Sequence, residues 1–350
     1  MLKLTRIIIN GAFFYQQKTG QQRFASEISS CLLSLRDNEI QFHLQRPPAW
    51  AAKRALLVWI WVQWTALFLR EDELFLSLTS KVPLIRMRRS VITVHDLFPL
   101  EHPDWYSKKY IRVHQFALQR VLKGSTKLLL TVSKSVATKV LSQSNCASIV
   151  VAPNCISSVF LAIPDEKAIS ETLDKFGLAR DKFVLLSNPS DPRKNINYFV
   201  QAWAKLPADL TEKYTLVATG ADNRRVFRSD STAEVVRSLG FVTDMELSHL
   251  YTSCSLFCFP SLDEGFGIPP LEATAMRAKA LISDIPVHRE LKLPEQTYIQ
   301  LDDETKFAQQ IYSALRSEKN SGVPPMHFGT WVDSAEKLAN GIRSLVSDGN

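Results

Sequence analysis

The sequence predicts an α/β protein made of two Rossmann-like domains facing across a cleft. Three observations carry this. The chain has 350 residues, enough for two cores at roughly 100–200 residues per domain. Short, continuous apolar runs alternate with segments of helical periodicity, the pattern of buried parallel strands joined by helical crossovers. The stretches richest in chemical side chains follow the predicted strands, where ligands bind in open α/β sheets.

In the first half, residues 6–9, 91–94 and 128–132 read as strands, and 23–35, 108–122 and 133–141 as helices. The second half repeats the theme, with strands at 183–186, 215–218, 256–259 and 280–282 and helices at 195–206, 244–253 and 270–276. Pro164, polar residues and a short amphipathic helix near 169–176 mark a seam over 157–182. The expected domains are 1–160, a linker at 161–182, a second Rossmann-like domain at 183–327, and a C-terminal helix in 328–350 that packs back towards the first domain.

Hydrophobic residues make up 45% and charged residues 22%, which excludes disorder as the ground state. The five cysteines, Cys31, Cys146, Cys155, Cys254 and Cys258, are odd in number and fit neither a disulfide framework nor a zinc site. Reduced buried thiols are expected, consistent with a cytoplasmic protein. Lys3 and Arg6 precede only three isoleucines at 7–9, too few for the apolar core of a secretory leader. The longest apolar stretch, 55–69, is broken by Gln63 and Thr65 and falls short of the ~20 residues that span a bilayer.

The net charge of +7 is unevenly placed. Residues 1–160 hold 21 Lys and Arg against 9 Asp and Glu, and the remainder 21 against 26. A basic first half suits a polyanionic partner: a membrane surface, phosphate groups or nucleic acid. No nucleic-acid reader motif accompanies it, so nucleic acid is not expected. The stretch 49–70 holds Trp50, Trp59, Trp61 and Trp64, flanked by Lys53, Arg54 and Arg70, and Lys81, Arg86, Arg88 and Arg89 follow. Tryptophan favours the headgroup boundary and cations favour anionic lipids. Docking at the inner face of an anionic membrane is therefore expected, with a buried core helix as the alternative.

Four short constellations carry the chemistry. In residues 260–272, PSLDEGFGIPPLE, Glu264 sits in a loop with Gly265 and Gly267, prolines open a helix, and Glu272 lies on that helix. Free N–H groups of such a loop and helix start suit a diphosphate; a capped acidic loop would read the same way. In 187–195, SNPSDPRKN, Arg193 and Lys194 stand at a helix start, where adjacent cations conflict with the helix dipole and a bound phosphate would remove the conflict; a solvated basic loop would read the same way. His95 and Asp96 end a strand, and a histidine there can face a ligand or merely satisfy nearby backbone. Gly20, in the segment KTGQQR at 18–23, permits close backbone approach to a ligand.

In their order along the chain these pieces resemble family 4 of the retaining glycosyltransferases, also called group 1. Glu264 and Glu272 match its Glu-x7-Glu motif, Arg193 and Lys194 its basic pair, His95 and Asp96 its His-Asp dipeptide, and the loop at Gly20 its N-terminal glycine loop. The segments 131–133, 151–154, 238–242, 259–261 and 283–286 resemble its landmarks too. The resemblance implies the GT-B architecture and a nucleotide-sugar donor, a co-substrate, with no cofactor. It implies that Arg193 and Lys194 hold the donor diphosphate and that Glu272 bonds the ribose. Glu264 and the backbone of Gly265, Phe266, Gly267 and Ile268 would hold sugar and phosphate, backbone at Phe241 and Val242 would meet the base, His95 would sit by the reacting sugar, and Gly20 would lie beside diphosphate or acceptor. One departure stands out. Met276 and Arg277 replace a small residue and glycine after the second glutamate, and the turn is expected to be remodelled, because arginine takes positive φ less cheaply than glycine.

The implied reaction is retaining hexosyl transfer to a hydroxyl, with GDP-mannose as donor and a lipid-linked saccharide of surface polysaccharide as acceptor. The lack of an Asp-x-Asp motif suggests independence of metal. A catalytically silent GT-B scaffold or partner subunit and a nucleotide-sugar epimerase are the rival readings.

Overall fold

The computed structural model describes residues 4–16, 19–52, 54–146, 148–220, 226–227, 235–317 and 329–347. Lys18 and Lys53 lie outside them. Among the described residues there are two six-stranded sheets with every strand pairing parallel. The first comprises β1 (Thr5–Asn10), β2 (Ile40–Gln45), β3 (Glu73–Ser77), β4 (Ser90–Val94), β5 (Leu128–Thr131) and β6 (Ser148–Val151), ordered β2-β1-β3-β4-β5-β6. The second comprises β7 (Phe183–Ser187), β8 (Thr215–Thr219), β9 (Arg237–Gly240), β10 (Leu256–Phe259), β11 (Ala280–Ser283) and β12 (Tyr298–Ile299), ordered β12-β11-β10-β7-β8-β9.

The chain divides into two compact units, Met1–Glu101 with Ile111–Cys155 and Gly329–Asn350, and His102–Tyr110 with Ile156–Phe328. In the first unit, the helix Gly20–Ser34 buries Phe24, Ala25, Ile28 and Leu32, an apolar stripe at helical spacing. The C-terminal helix Trp331–Ser347 lies against it and against β5 and β6. Gly341 permits that approach, since a Cβ there would stand 2.5 Å from Val150 Cγ2. Arg343 Nε reaches Asp37 Oδ2 at 2.7 Å on the same face.

The helix Ala55–Leu67 divides its apolar residues between two faces. Val58 and Val62 are buried with Ala12, Leu69 and Phe75, and Trp61 packs on that cluster. Leu56, Ile60, Trp64, Leu67 and Phe68 are exposed. The helix thus packs one face into the core, as the core-helix alternative expects, and leaves apolar side chains exposed on the other. No helix among the described residues is long and apolar enough to cross a membrane.

In the second unit the strands alternate their side chains between two helical layers. Phe183 and Leu185 join Leu250, Tyr251, Leu271 and Ala273 in one core. Val184 and Leu186 join Phe199, Trp203, Phe307 and Ile311 in the other. The segment 161–182, expected as a linker, is part of this unit. Its helix Glu166–Phe176 is capped by the Asp165 side chain and by Gly177 at φ 57°, and it places Ile169 and Leu173 in the core against the helix Asp244–Ser253. Burying an apolar stripe favours packing over a tether. Residues 102–110, expected in the first domain, also belong here. Ser107 N–H donates to the Val226 carbonyl at 2.8 Å, and the Tyr106 ring lies 5.4 Å from that of Phe227.

Candidate functional site

The second sheet changes direction between β7 and β10: the chain builds outward through β8 and β9, then returns to lay β10, β11 and β12 on the other side. A parallel sheet opens a crevice at the carboxyl ends of such a strand pair. The turn after β7 carries Arg193 and Lys194, and the loop after β10 carries Glu264. The Arg193 carbonyl accepts from Leu262 N–H at 2.8 Å and ties the two together.

The turn is built locally. Asp191 caps a single 3-10 turn, Pro192–Lys194, its Oδ1 accepting from Arg193 N–H at 3.1 Å. Asn195 then takes φ 54° and the helix Ile196–Trp203 begins, asparagine being among the residues that tolerate that conformation. Arg193 Nε donates to both Asp191 oxygens, at 2.9 and 3.1 Å, and Nη2 to Oδ2 at 2.5 Å. Burial disfavours the Arg193 charge, but Asp191 outweighs it and raises the guanidinium well above its ordinary pKa. Lys194 Nζ donates to Glu264 Oε1 at 2.5 Å, with both side chains 10% exposed, and sits 4.3 Å from the centre of the Phe259 ring. Burial pushes the Glu264 carboxyl up, and the charges of Lys194 and Arg193 overcome it, so its pKa is held below the usual value.

Beyond Glu264, Gly267 takes φ 97° and the helix Ile268–Ala275 opens with prolines in its first turn. Only glycine takes that angle without strain. The His288 ring closes the other side: a Cβ on Gly267 would stand 3.0 Å from its Cδ2. His288 Nδ1 donates to the Ser283 carbonyl at 2.8 Å, which fixes the tautomer and leaves Nε2 an acceptor, buried without a protein partner. Gly265 and Phe266 lie in the loop between Glu264 and Gly267. Glu272 is on the helix, 2% exposed. Past β9, Phe241 is 60% exposed and Val242 is buried in the core.

The turn after this helix departs from expectation. Met276 and Arg277 were expected to remodel it, yet Arg277 adopts φ 58° itself. Ala278 N–H bonds the Ala273 carbonyl at 2.9 Å and Arg277 N–H the Thr274 carbonyl at 3.0 Å. These are the hydrogen bonds of a left-handed helix cap, and they hold arginine where glycine would be easier.

The remaining predicted residues lie in the first unit. His95 follows β4 and is 8% exposed. Its Nε2 donates to the Leu78 carbonyl at 2.8 Å, and Phe24 packs on the ring at 5.2 Å, edge to face. Burial, only partly opposed by that hydrogen bond, pushes its pKa down to about 4, so the ring is neutral at physiological pH. Gly20 is the first residue of its helix rather than part of a preceding loop. It offers an N–H at a helix start and no special backbone angle. Lys81 stands apart from Arg86, Arg88 and Arg89. Its carbonyl accepts from Asn10 Nδ2 at 2.8 Å and from Ser77 Oγ at 2.7 Å, and burial lowers its pKa.

Sequence reasoning missed Asp191 and His288. The Asp-Pro pair at a helical start was a legible capping signal for the first. Nothing local marks His288, whose meeting with Gly267 is made by the β10–β11 crossover.

The sequence model of the glycosyl transferases group 1 family matches residues 169–322. The chain is 32% identical over 209 residues to the serotype-specific mannosyltransferase WbdA of Escherichia coli, an overlap of 56% of this chain and 25% of that protein. It is 28% identical over 270 residues to the O-antigen chain mannosyltransferase RfbU of Salmonella typhimurium, covering 74% of this chain and 70% of that one. The chain thus spans a quarter of the length of WbdA and a larger share of RfbU. The crystal structure of Anabaena Alr3699/HepE in complex with UDP and glucose superposes with a TM-score of 0.62 at 16% identity, over 99% of this chain and 95% of that one. Two parallel α/β units of this kind are the GT-B fold.

Proposed function

We propose that this chain, whose residues 169–322 match the model of the glycosyl transferases group 1 family, transfers a hexosyl group from a nucleotide sugar to a saccharide hydroxyl with retention of configuration. The observation that carries this is the buried Lys194–Glu264 pair beside Arg193, at the strand reversal of the second sheet. As the glycosidic bond breaks, the sugar gains oxocarbenium character and the diphosphate gains negative charge. Arg193, Lys194 and the N-terminus of the helix Ile268–Ala275 would stabilise that leaving group. Glu264, held ionised, faces the positive charge developing on the sugar. Glu272 would take the ribose hydroxyls, and backbone at Phe241 and Val242 the base. Neutral His95 would offer its second ring nitrogen to a sugar hydroxyl.

Mannose, carried by GDP, is the favoured donor, because the relatives are named mannosyltransferases. The neighbour solved with UDP and glucose makes a uridine donor the alternative. The acceptor would be a lipid-linked saccharide of surface polysaccharide. The exposed stripe Leu56, Ile60, Trp64 and Phe68 supports docking of the first unit on an anionic membrane surface. Protein cations at the leaving group would serve in place of a metal, so activity should survive chelation. Thermal stabilisation by GDP, UDP, ADP and their sugars, followed by turnover of the best donor in EDTA, tests the reading. Stabilisation by GDP-mannose and EDTA-resistant transfer are expected. Loss of transfer on chelation, restored by Mg²⁺, would overturn the metal-independent mechanism.

A further inference from the structure

Five cations gather at the opposite end of the first sheet from His95. Arg86, Arg88 and Arg89 precede β4, whereas His95 follows it. Arg120 and Lys123 come from the last turn of the helix Lys108–Lys123. They line a concavity of about 720 Å3 whose walls hold no carboxylate. Among the described residues, none of the five forms an ion pair.

The site is constructed rather than incidental. Arg86 adopts φ 49°, a left-handed conformation that costs a non-glycine residue energy. Its Nη1 donates to the Leu69 carbonyl at 2.9 Å, and Arg89 donates to the carbonyls of Arg70 and Glu71. Neutral acceptors hold these guanidinium groups without cancelling their charge. Gly124 lets the two segments close, since a Cβ there would meet Met87 Cε at 2.6 Å. The helix dipole accounts for Arg120 and Lys123, but not for the three arginines facing them. Like charges collected in one concavity repel, and a bound anion relieves the repulsion. Arginine forks match phosphoryl oxygens.

The rim indicates where the anion comes from. Ile85 lines the concavity and is 38% exposed. The Leu69 carbonyl held by Arg86 follows Phe68, 61% exposed, the end of the apolar stripe on the helix Ala55–Leu67. We propose that this pocket binds the phosphoryl headgroup of an anionic membrane lipid carrying more than one negative charge, while the adjoining stripe enters the acyl boundary. The inference rests on the membrane docking proposed above and adds to it a defined headgroup site.

Co-sedimentation of the whole chain with phosphatidylcholine vesicles tests it. The vesicles carry either phosphatidic acid or phosphatidylglycerol, adjusted to the same net charge at one salt concentration. Binding about fivefold tighter to phosphatidic acid is expected, the scale of one cation–headgroup contact. Arg88→Ala with Arg120→Ala should erase the preference and leave weaker binding common to both lipids. Trp64→Ala should weaken both alike. Equal binding of the unaltered chain to both vesicles, or a preference that survives in the double variant, overturns the headgroup site and leaves docking standing. Failure of the unaltered chain to bind either vesicle overturns both. Thermal stabilisation by inorganic phosphate that the double variant loses, without a vesicle preference, assigns the pocket to a soluble anion and overturns the lipid reading.

Discussion

The two basic clusters of this protein use the same residue types in opposite ways. In the second unit, Arg193 and Lys194 are each matched to a carboxylate, Asp191 and Glu264, in surroundings that exclude most water. In the first unit, Arg86, Arg88, Arg89, Arg120 and Lys123 share one concavity with no carboxylate in its walls. Burial forces pairing, because an uncompensated charge out of water is very costly. Exposure removes that requirement, because water and salt screen the charges. The buried pairs are therefore coupled to stability, whereas the open cluster is free of that constraint. The two should separate cleanly under mutation.

The largest effect is expected at Lys194. Replacing it by Met leaves Glu264 buried without its partner, and breaking such a pair costs about 3–5 kcal/mol. Urea denaturation should show this loss, and adding Glu264→Gln should recover much of it. An additive double variant would mean that the pair is not coupled, and the contrast with the open cluster would fail.

The same pair sets a pH dependence. The folded Glu264 carboxyl has its pKa held below the ordinary 4.5. A depressed carboxyl contributes stability that is present above its unfolded pKa and lost as pH falls through the folded one. Stability should therefore decline on acidification from about pH 5 downward, and the gap between the native chain and the Lys194→Met, Glu264→Gln variant should narrow. A gap independent of pH would show that Glu264 does not titrate as its surroundings require.

Arg277 is a third kind of basic residue, constrained by backbone rather than charge. Its φ of 58° costs an L-residue roughly 1–2 kcal/mol. Arg277→Gly should therefore stabilise the second unit by about 1 kcal/mol after glycine's larger unfolded-state entropy is counted. A lower melting temperature would point to a contact of the guanidinium that outweighs the strain. The smallest change is expected at the open cluster. Arg88→Ala and Arg120→Ala should each alter stability by less than about 0.5 kcal/mol, measured by the same urea titration. A larger loss at either would mean that the cluster supports the fold.

Much of the fold was legible because its signals are local. The runs at β1, β4, β5, β7, β8, β10 and β11 are short, largely apolar and mostly buried, and such runs announce parallel strands. Five strands escaped notice: β3, a buried apolar run at the centre of its sheet, β6, and three weaker ones. β2 alternates polar residues at a sheet edge, β9 is the half-exposed RSLG, and β12 is two residues long. At the site, Arg193, Lys194, Glu264, Gly267 and Glu272 could be named because residue type and spacing sit in continuous stretches.

The sequence by itself determined the α/β class, the placement of chemical residues after strands, and the glycine turn at Gly267, since each depends on neighbours within a few positions. Tertiary structure alone decided the rest. Lys194 meets Glu264 across 70 residues of sequence, and the pairing exists only because β7 and β10 lie side by side. His288 reaches Gly267, Arg120 reaches the loop at Arg86, and Trp331–Ser347 returns to Gly20–Ser34, each through strand order or helix packing. The physical reason is one of range: propensity, capping and turn chemistry act between adjacent residues, whereas charge pairing, burial and pKa depend on which distant residues the sheets bring together.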